Sequence, residues 1–201
     1  MRDIILYDDL VKIVHLTKTE KSINKPSVRV GIVMLFLLGV RITELKQITI
    51  LNLKGYLNNQ PLYITPGKTK SPVKIPHVAS EVTKKVFLDL VGQDFSQLEK
   101  QLNPLDSILP WSRGHLNRTL NKVLKSYGHL LSRKLRFRDK TRVFQTRVLG
   151  KNFLCHSCRI SFITRICQVA SVNEAKDLVG NQNISTTQRY NRSIADLERR
   201  T

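Results

Sequence analysis

The sequence predicts a mainly helical α+β chain with one small antiparallel sheet of three strands, and three observations carry that expectation. Apolar residues recur at helical spacing in several windows, of which Leu116, Leu120, Val123, Leu124 and Tyr127 form the longest series. Glycines stand where these windows close, at Gly39, Gly92, Gly128 and Gly180. Three strand-like runs, residues 48–53, 61–65 and 73–76, cluster in the first half, and a Pro- and Gly-punctuated connection joins the last two as a hairpin tip.

Composition narrows the class of partner. With 201 residues, 41% of them hydrophobic, the chain suits one folded domain, residues 1–201. Its 34 Lys and Arg against 15 Asp and Glu leave a formal charge of +19. Such an excess calls for a polyanion, nucleic acid first and an anionic membrane surface second. The apolar run 28–40 is too short to span a bilayer and contains Arg29, so no membrane partner is expected. The start turns acidic at Asp8 and Asp9, where a signal peptide would stay apolar. Three cysteines fit a reducing compartment. Cys155 and Cys158 form a C-x-x-C that lacks a second ligand pair for zinc and a following histidine for haem, which leaves core thiols.

Taken in order, a short helix over residues 8–16 precedes a polar stretch, and residues 28–38 form a buried helix, apolar nearly all round, that Gly39 ends. Arg41 opens the next helix, which carries Glu44, Leu45 and Ile48; a salt bridge from Arg41 to Glu44 is its simplest role. The strand runs follow, with Lys68 and Lys70 at the hairpin tip. From Ser80 a helix turns Val82, Val86 and Leu90 inward and stops at Gly92, and another runs from near Ser112 to Gly128. Residues 129–151 crowd Arg133, Lys134, Arg136, Arg138, Lys140, Arg142, Arg147 and Lys151 around a single acid, Asp139. Leu135 and Phe137 alternate with these charges, so part of the span reads as an extra strand pair whose role is contact with a phosphate backbone.

The chemistry concentrates in residues 155–190. His156, Arg159 and Ile163 share one helical stripe, and an arginine aimed at an apolar face needs a partner there. Ser171 with Glu174 opens a second helix that Gly180 closes, and residues 185–188 form a capping-box pattern that starts a third, with Tyr190 just inside it.

These residues resemble the tyrosine recombinases, or phage integrase family. His156-Ser157-Cys158-Arg159 matches the family's His-x-x-Arg pair, Gly180-Asn181 stands at its Gly-His turn, and Tyr190 stands at its nucleophile. Gly39-Val40-Arg41-Ile42-Thr43-Glu44-Leu45 matches its Gly-x-Arg-x-x-Glu-Leu junction, and Gly67-Lys68 with the basic residues after it and Ile75-Pro76 matches its lysine hairpin. The resemblance covers roughly residues 5 to 195, and its motifs are specific together although each alone is weak.

The resemblance implies a catalytic domain without the helical core-binding domain that most members carry ahead of it, with 129–151 a basic insertion. It implies a tyrosine nucleophile, Tyr190, that forms a 3′-phosphotyrosyl link to DNA. Arg41 and Arg159 would grip the phosphate. Lys68, with Lys70 in reserve, would protonate the leaving 5′-hydroxyl, and His156 would manage the tyrosine proton. Asn181 departs from the family pattern: it can donate a hydrogen bond but cannot shuttle a proton, which predicts a slower enzyme. Arg113, Asn117 and Arg118 stand on the helix that meets the major groove in the family. No metal or cofactor is implied. The expected partner is double-stranded DNA, met as a homotetramer, in the cytoplasm and nucleoid or an organelle genome compartment. Three other readings stay open: a telomere resolvase or type IB topoisomerase-like strand transferase, a catalytically weakened DNA-binding relative, and a basic RNA-binding protein.

Overall fold

A helix with no polar face must be wrapped by others, and the helix Pro26–Leu38 is surrounded in this way. The computed structural model describes residues 4–19, 25–66, 75–130, 133–138, 144–149, 153–180, 184–185 and 187–188. Helix α1 (Tyr7–Thr19) lays the stripe Leu10, Ile13, Val14 and Thr17 into the core. Pro26 starts α2 (Pro26–Leu38), and Gly39 ends it in the left-handed conformation at φ 63°. Helices α5 (Glu81–Gln101) and α7 (Cys155–Val169) pack against α2, as do α1, the short α3 (Ile42–Leu45) and α6 (Arg113–Leu130).

Several expectations need correction. Residues 48–53 are not a strand: Thr49 caps a helix, α4 (Ile50–Leu57), by accepting from the Asn52 backbone N–H at 3.1 Å. Ile50, Leu53 and Tyr56 are the buried positions, a spacing of three that suits a helix and not a strand. Only Thr49 retains a β-bridge, to Ser107. The sheet therefore has two strands, β1 (Leu62–Ile64) and β2 (Ile75–His77), paired antiparallel with Tyr63 opposite Pro76. Gly92 does not end α5 either. The apolar stripe continues through Phe95 and Leu98, and burying those rings and methyls outweighs the roughly 1 kcal/mol that a mid-helix glycine costs. The stripe is also rotated from the expected one, with Phe87, Leu90 and Val91 buried and Val82 exposed. Likewise α6 runs through Gly128 to Leu130, while Leu120, Val123, Leu124 and Tyr127 are buried as expected.

The basic span does form a strand pair. β3 (Arg133–Arg138) and β4 (Phe144–Leu149) pair antiparallel, with Leu135 opposite Arg147. After α7, the helix α8 (Val172–Leu178) begins at Ser171, whose hydroxyl accepts from the Glu174 N–H at 3.1 Å while the Glu174 carboxylate accepts from the Ser171 N–H at 2.7 Å. Further on, Ile184 is already helical, so that helical segment begins before Ser185. Among the described residues no helix is long and apolar enough to cross a membrane.

A charge inside the central helix shows how closely this core is specified. Arg29 of α2 is 4% exposed and forks onto Asp94 of α5, Nε to Oδ2 at 2.8 Å and Nη2 to Oδ1 at 2.5 Å; Nη1 reaches the Thr17 carbonyl of α1. The pair ties three helices together. Asp94→Ala leaves that guanidinium without its carboxylate and is expected to cost about 3–5 kcal/mol in urea unfolding. The double change Arg29→Met with Asp94→Leu, which removes both charges, is expected to recover most of the loss.

Candidate functional site

The site is built where α2, α7 and α8 meet. Arg159 lies one turn into α7 and is 3% exposed, so its charge has to be met from within the protein. Nη1 donates to the Gly39 carbonyl at 2.8 Å and Nη2 to the Val179 carbonyl at 2.6 Å. Both carbonyls sit at helix C-termini, which are electronegative and short of backbone donors. Glycine at position 39 makes the first of these hydrogen bonds possible. A Cβ there would run into the Phe162 ring of α7, and its φ of 63° suits only glycine well. Gly180, at φ 61°, closes α8 in the same manner, and a Cβ there would run into Ile75 and Pro66 at the base of the β1–β2 hairpin.

One carboxylate links both arginines. Glu44 is 3% exposed; its Oε1 accepts from Arg41 Nη1 at 2.6 Å, and its Oε2 lies 3.7 Å from Arg159 Nη1. The Oε2 atom also accepts from the Arg41 backbone N–H at 2.6 Å, which fixes the start of α3. The simple salt bridge from Arg41 to Glu44 is therefore present. Two guanidinium groups against one carboxylate leave an excess positive charge. Arg41, His156 and Arg159 line a cleft of about 250 Å³ together with Val40, Ile42, Asn117, Asn121, Leu154 and Cys155. Arg41 keeps 24% of its side chain exposed on that side. Such a cleft suits an anion with several oxygens.

Two contributors are not evident from the sequence. His77, at the end of β2, lines a small pocket with Glu44, Arg159, Ile64, Pro66 and Val179 and is 6% exposed. Burial lowers its pKa to about 4, Arg159 adding to the shift and Glu44 opposing it, so the imidazole is neutral near pH 7. A lone histidine after Ile75-Pro76 carries little signal by itself. Asn121 of α6 accepts from the Cys155 N–H at 2.8 Å and so caps α7 from a neighbouring helix. Its only sequence cue is that Asn117 stands one helical turn before it.

Asn117 and Arg118 are exposed on α6, Asn117 within the cleft lining, and Arg113 is the first residue of that helix. Arg133, Lys134, Arg136 and Arg138 all lie on β3. Lys68, Lys70, Asn181 and Tyr190 lie outside the described residues. Two of these segments have described ends near Arg159: Pro66 and Ile75 bracket the lysines, and Val179 and Gly180 precede Asn181. Cys155 and Cys158 are buried thiols; burial raises the Cys155 pKa to about 12, which keeps it protonated.

The architecture, mostly helical with a small antiparallel sheet, is similar to that of tyrosine recombinase catalytic domains. Among solved structures, the chain is similar to XerA recombinase, at 14% identity and a TM-score of 0.60 over 94% of this chain and 58% of that one. It is similar to a lambda integrase dimer bound to a COC′ core site, at 16% identity and a TM-score of 0.59 over 95% of this chain and 60% of that one. It is similar to the Tn1549 transposon integrase in complex with a circular intermediate DNA, at 17% identity and a TM-score of 0.61 over 99% of this chain and 66% of that one. The chain thus spans between 58% and 66% of the length of these three. No family model and no curated protein matches it.

The neutral His77 sets a pH dependence. With a folded pKa near 4 and an ordinary unfolded value near 6.5, the unfolded chain binds the extra proton between these values. Stability is therefore expected to fall as pH drops from about 6.5 to about 4, by roughly 2–4 kcal/mol from this residue. Urea unfolding across that range should show a shallower slope for His77→Gln; equal slopes would contradict the assignment.

Proposed function

We propose that the protein is a site-specific DNA recombinase or integrase that cuts and rejoins duplex DNA through a 3′-phosphotyrosyl intermediate. The observation that carries this reading is the Glu44 carboxylate, which holds Arg41 from the start of α3 and Arg159 from α7 on one cleft beside His156. An excess of fixed positive charge at that point opposes the negative charge that gathers on a phosphate under attack. The fold similarity supports it independently.

In this reading, the Tyr190 hydroxyl oxygen bonds to phosphorus and the bond from phosphorus to the 5′ oxygen breaks. His156 takes up the tyrosine proton, and Lys68, or Lys70 beside it, supplies a proton to the departing oxygen. Religation runs the same steps in reverse, with the bond energy held in the phosphotyrosine. Arg41 and Arg159 neutralise the non-bridging oxygens throughout, and Asn181 donates a hydrogen bond to one of them. The β3–β4 hairpin is a basic insertion that, with Arg113 and Arg118, contacts the duplex beyond the cleft, and Asn117 contacts it from the cleft lining. The active form is a homotetramer on DNA, acting wherever the target genome lies, in the cytoplasm and nucleoid or an organelle.

A suicide duplex with a nick beside the cleavage site tests this directly. Wild type should form a covalent protein–DNA adduct, Tyr190→Phe none, and Arg41→Ala or Arg159→Ala at least roughly 100-fold less. Tight binding without an adduct from wild type would instead mark a DNA-binding relative. In the same assay Asn181→His should speed cleavage, and an unchanged or lower rate would show that this position does not limit the enzyme. Replacing Arg133, Lys134, Arg136 and Arg138 by alanine should weaken binding across all sequences. It should also flatten the dependence of affinity on salt, by roughly 0.9 in log–log slope for each phosphate that is no longer neutralised.

A further inference from the structure

Hydrogen-bond direction in the cleft wall is fixed by one backbone amide. The Cys155 N–H opens α7 and can only donate, so the Asn121 side chain must turn Oδ1 toward it, at 2.8 Å. That leaves Asn121 with Nδ2 as its remaining polar atom, and Nδ2 donates to Asn117 Oδ1 at 2.8 Å. The carboxamide of Asn117 is thereby oriented too: its oxygen is engaged on α6, so its NH2 group is what it can offer to an anion in the cleft that it lines with Arg41, His156 and Arg159. A reversed Asn117 would set two donors against each other.

We propose that Asn117 donates a hydrogen bond to a non-bridging phosphate oxygen in the cleft, and that Asn121 is a positioning residue that holds it in the donating orientation. The inference rests on the recombinase reading of the site and deepens it. Arg41 and Arg159 supply charge, while Asn117 adds a directed neutral donor from a third element, α6. Asn121 simultaneously caps α7, so the helix carrying His156 and Arg159 and the donor beside them are set by one side chain.

Asn121→Asp separates the orienting role from the capping role. The carboxylate still accepts from the Cys155 N–H, so α7 keeps its cap, but it can only accept from Asn117, whose carboxamide must then reverse and present oxygen to the phosphate. The variants Asn121→Asp, Asn117→Ala and the double change are compared with wild type for adduct formation on the nicked duplex and for melting temperature. Each single change is expected to slow adduct formation by roughly 10- to 100-fold with melting temperature near that of wild type. The double variant is expected to be no slower than Asn117→Ala alone, because orientation is irrelevant once the donor is gone. A further loss on adding Asn121→Asp to Asn117→Ala would show that the new charge acts by itself and would overturn the proposal. So would an unimpaired Asn117→Ala. Should wild type form no adduct, the recombinase reading fails first, and the same four proteins are compared for affinity to intact duplex. The same non-additive pattern there supports the donor, and equal affinities contradict it.

Discussion

A guanidinium with almost no access to water is the constraint around which the site is arranged. Arg159 is satisfied by the carbonyl ends of two helices and a buried carboxylate, and each comes from a different part of the chain. The helices must therefore end at defined points. α2 stops because Gly39 takes the left-handed conformation beneath the Phe162 ring, and α8 stops at Gly180 against the hairpin base. Lengthening either helix by a residue would move a carbonyl away from Arg159 and leave a charge unpaired in the interior. The hydrophobicity of α2 serves the same end, since a helix buried on every side has little freedom to slide.

Electrostatics follow from that geometry. Glu44 offsets one of the two guanidinium charges, and His77 stays uncharged because it is buried next to Arg159. The first turn of α7, whose Cys155 N–H is taken by Asn121, brings the positive end of that helix to the cleft. One guanidinium charge is thus left over, and Arg41 is the better exposed of the two arginines. A deeply buried arginine held by carbonyls is rigid, and a partly open one beside it is reachable. On the proposed reading this division suits phosphate chemistry, because preorganised charge need not rearrange as the reaction proceeds.

Much of this is legible in the sequence where a local rule decides the structure. The all-round apolar pattern of α2, its glycine stop, the Ser171–Glu174 capping pair and the shared stripe of His156, Arg159 and Ile163 all report on neighbours within one or two turns. Residues 48–53 mislead because β-branched Ile48, Thr49 and Ile50 suggest a strand, whereas the Thr49 cap and the three-residue spacing of Ile50, Leu53 and Tyr56 decide for a helix. Gly92 suggests a stop, although the stripe beyond it belongs to the same helix. The partners of Arg159, the burial of His77 and the Asn121 cap are out of reach for another reason. Each joins residues far apart in the chain, and backbone carbonyls leave no mark on residue identity.

In a crystal structure of the protein on a nicked duplex, the position of the phosphorus atom at the nick decides whether the cleft is the reaction centre. Its expected place is the cleft, with its non-bridging oxygens within hydrogen-bond distance of Arg41 and Arg159 and the Tyr190 phenol oxygen aligned for attack. A duplex bound elsewhere on the surface, or a phosphate in the cleft with Tyr190 turned away and no second protomer supplying that tyrosine, would contradict it.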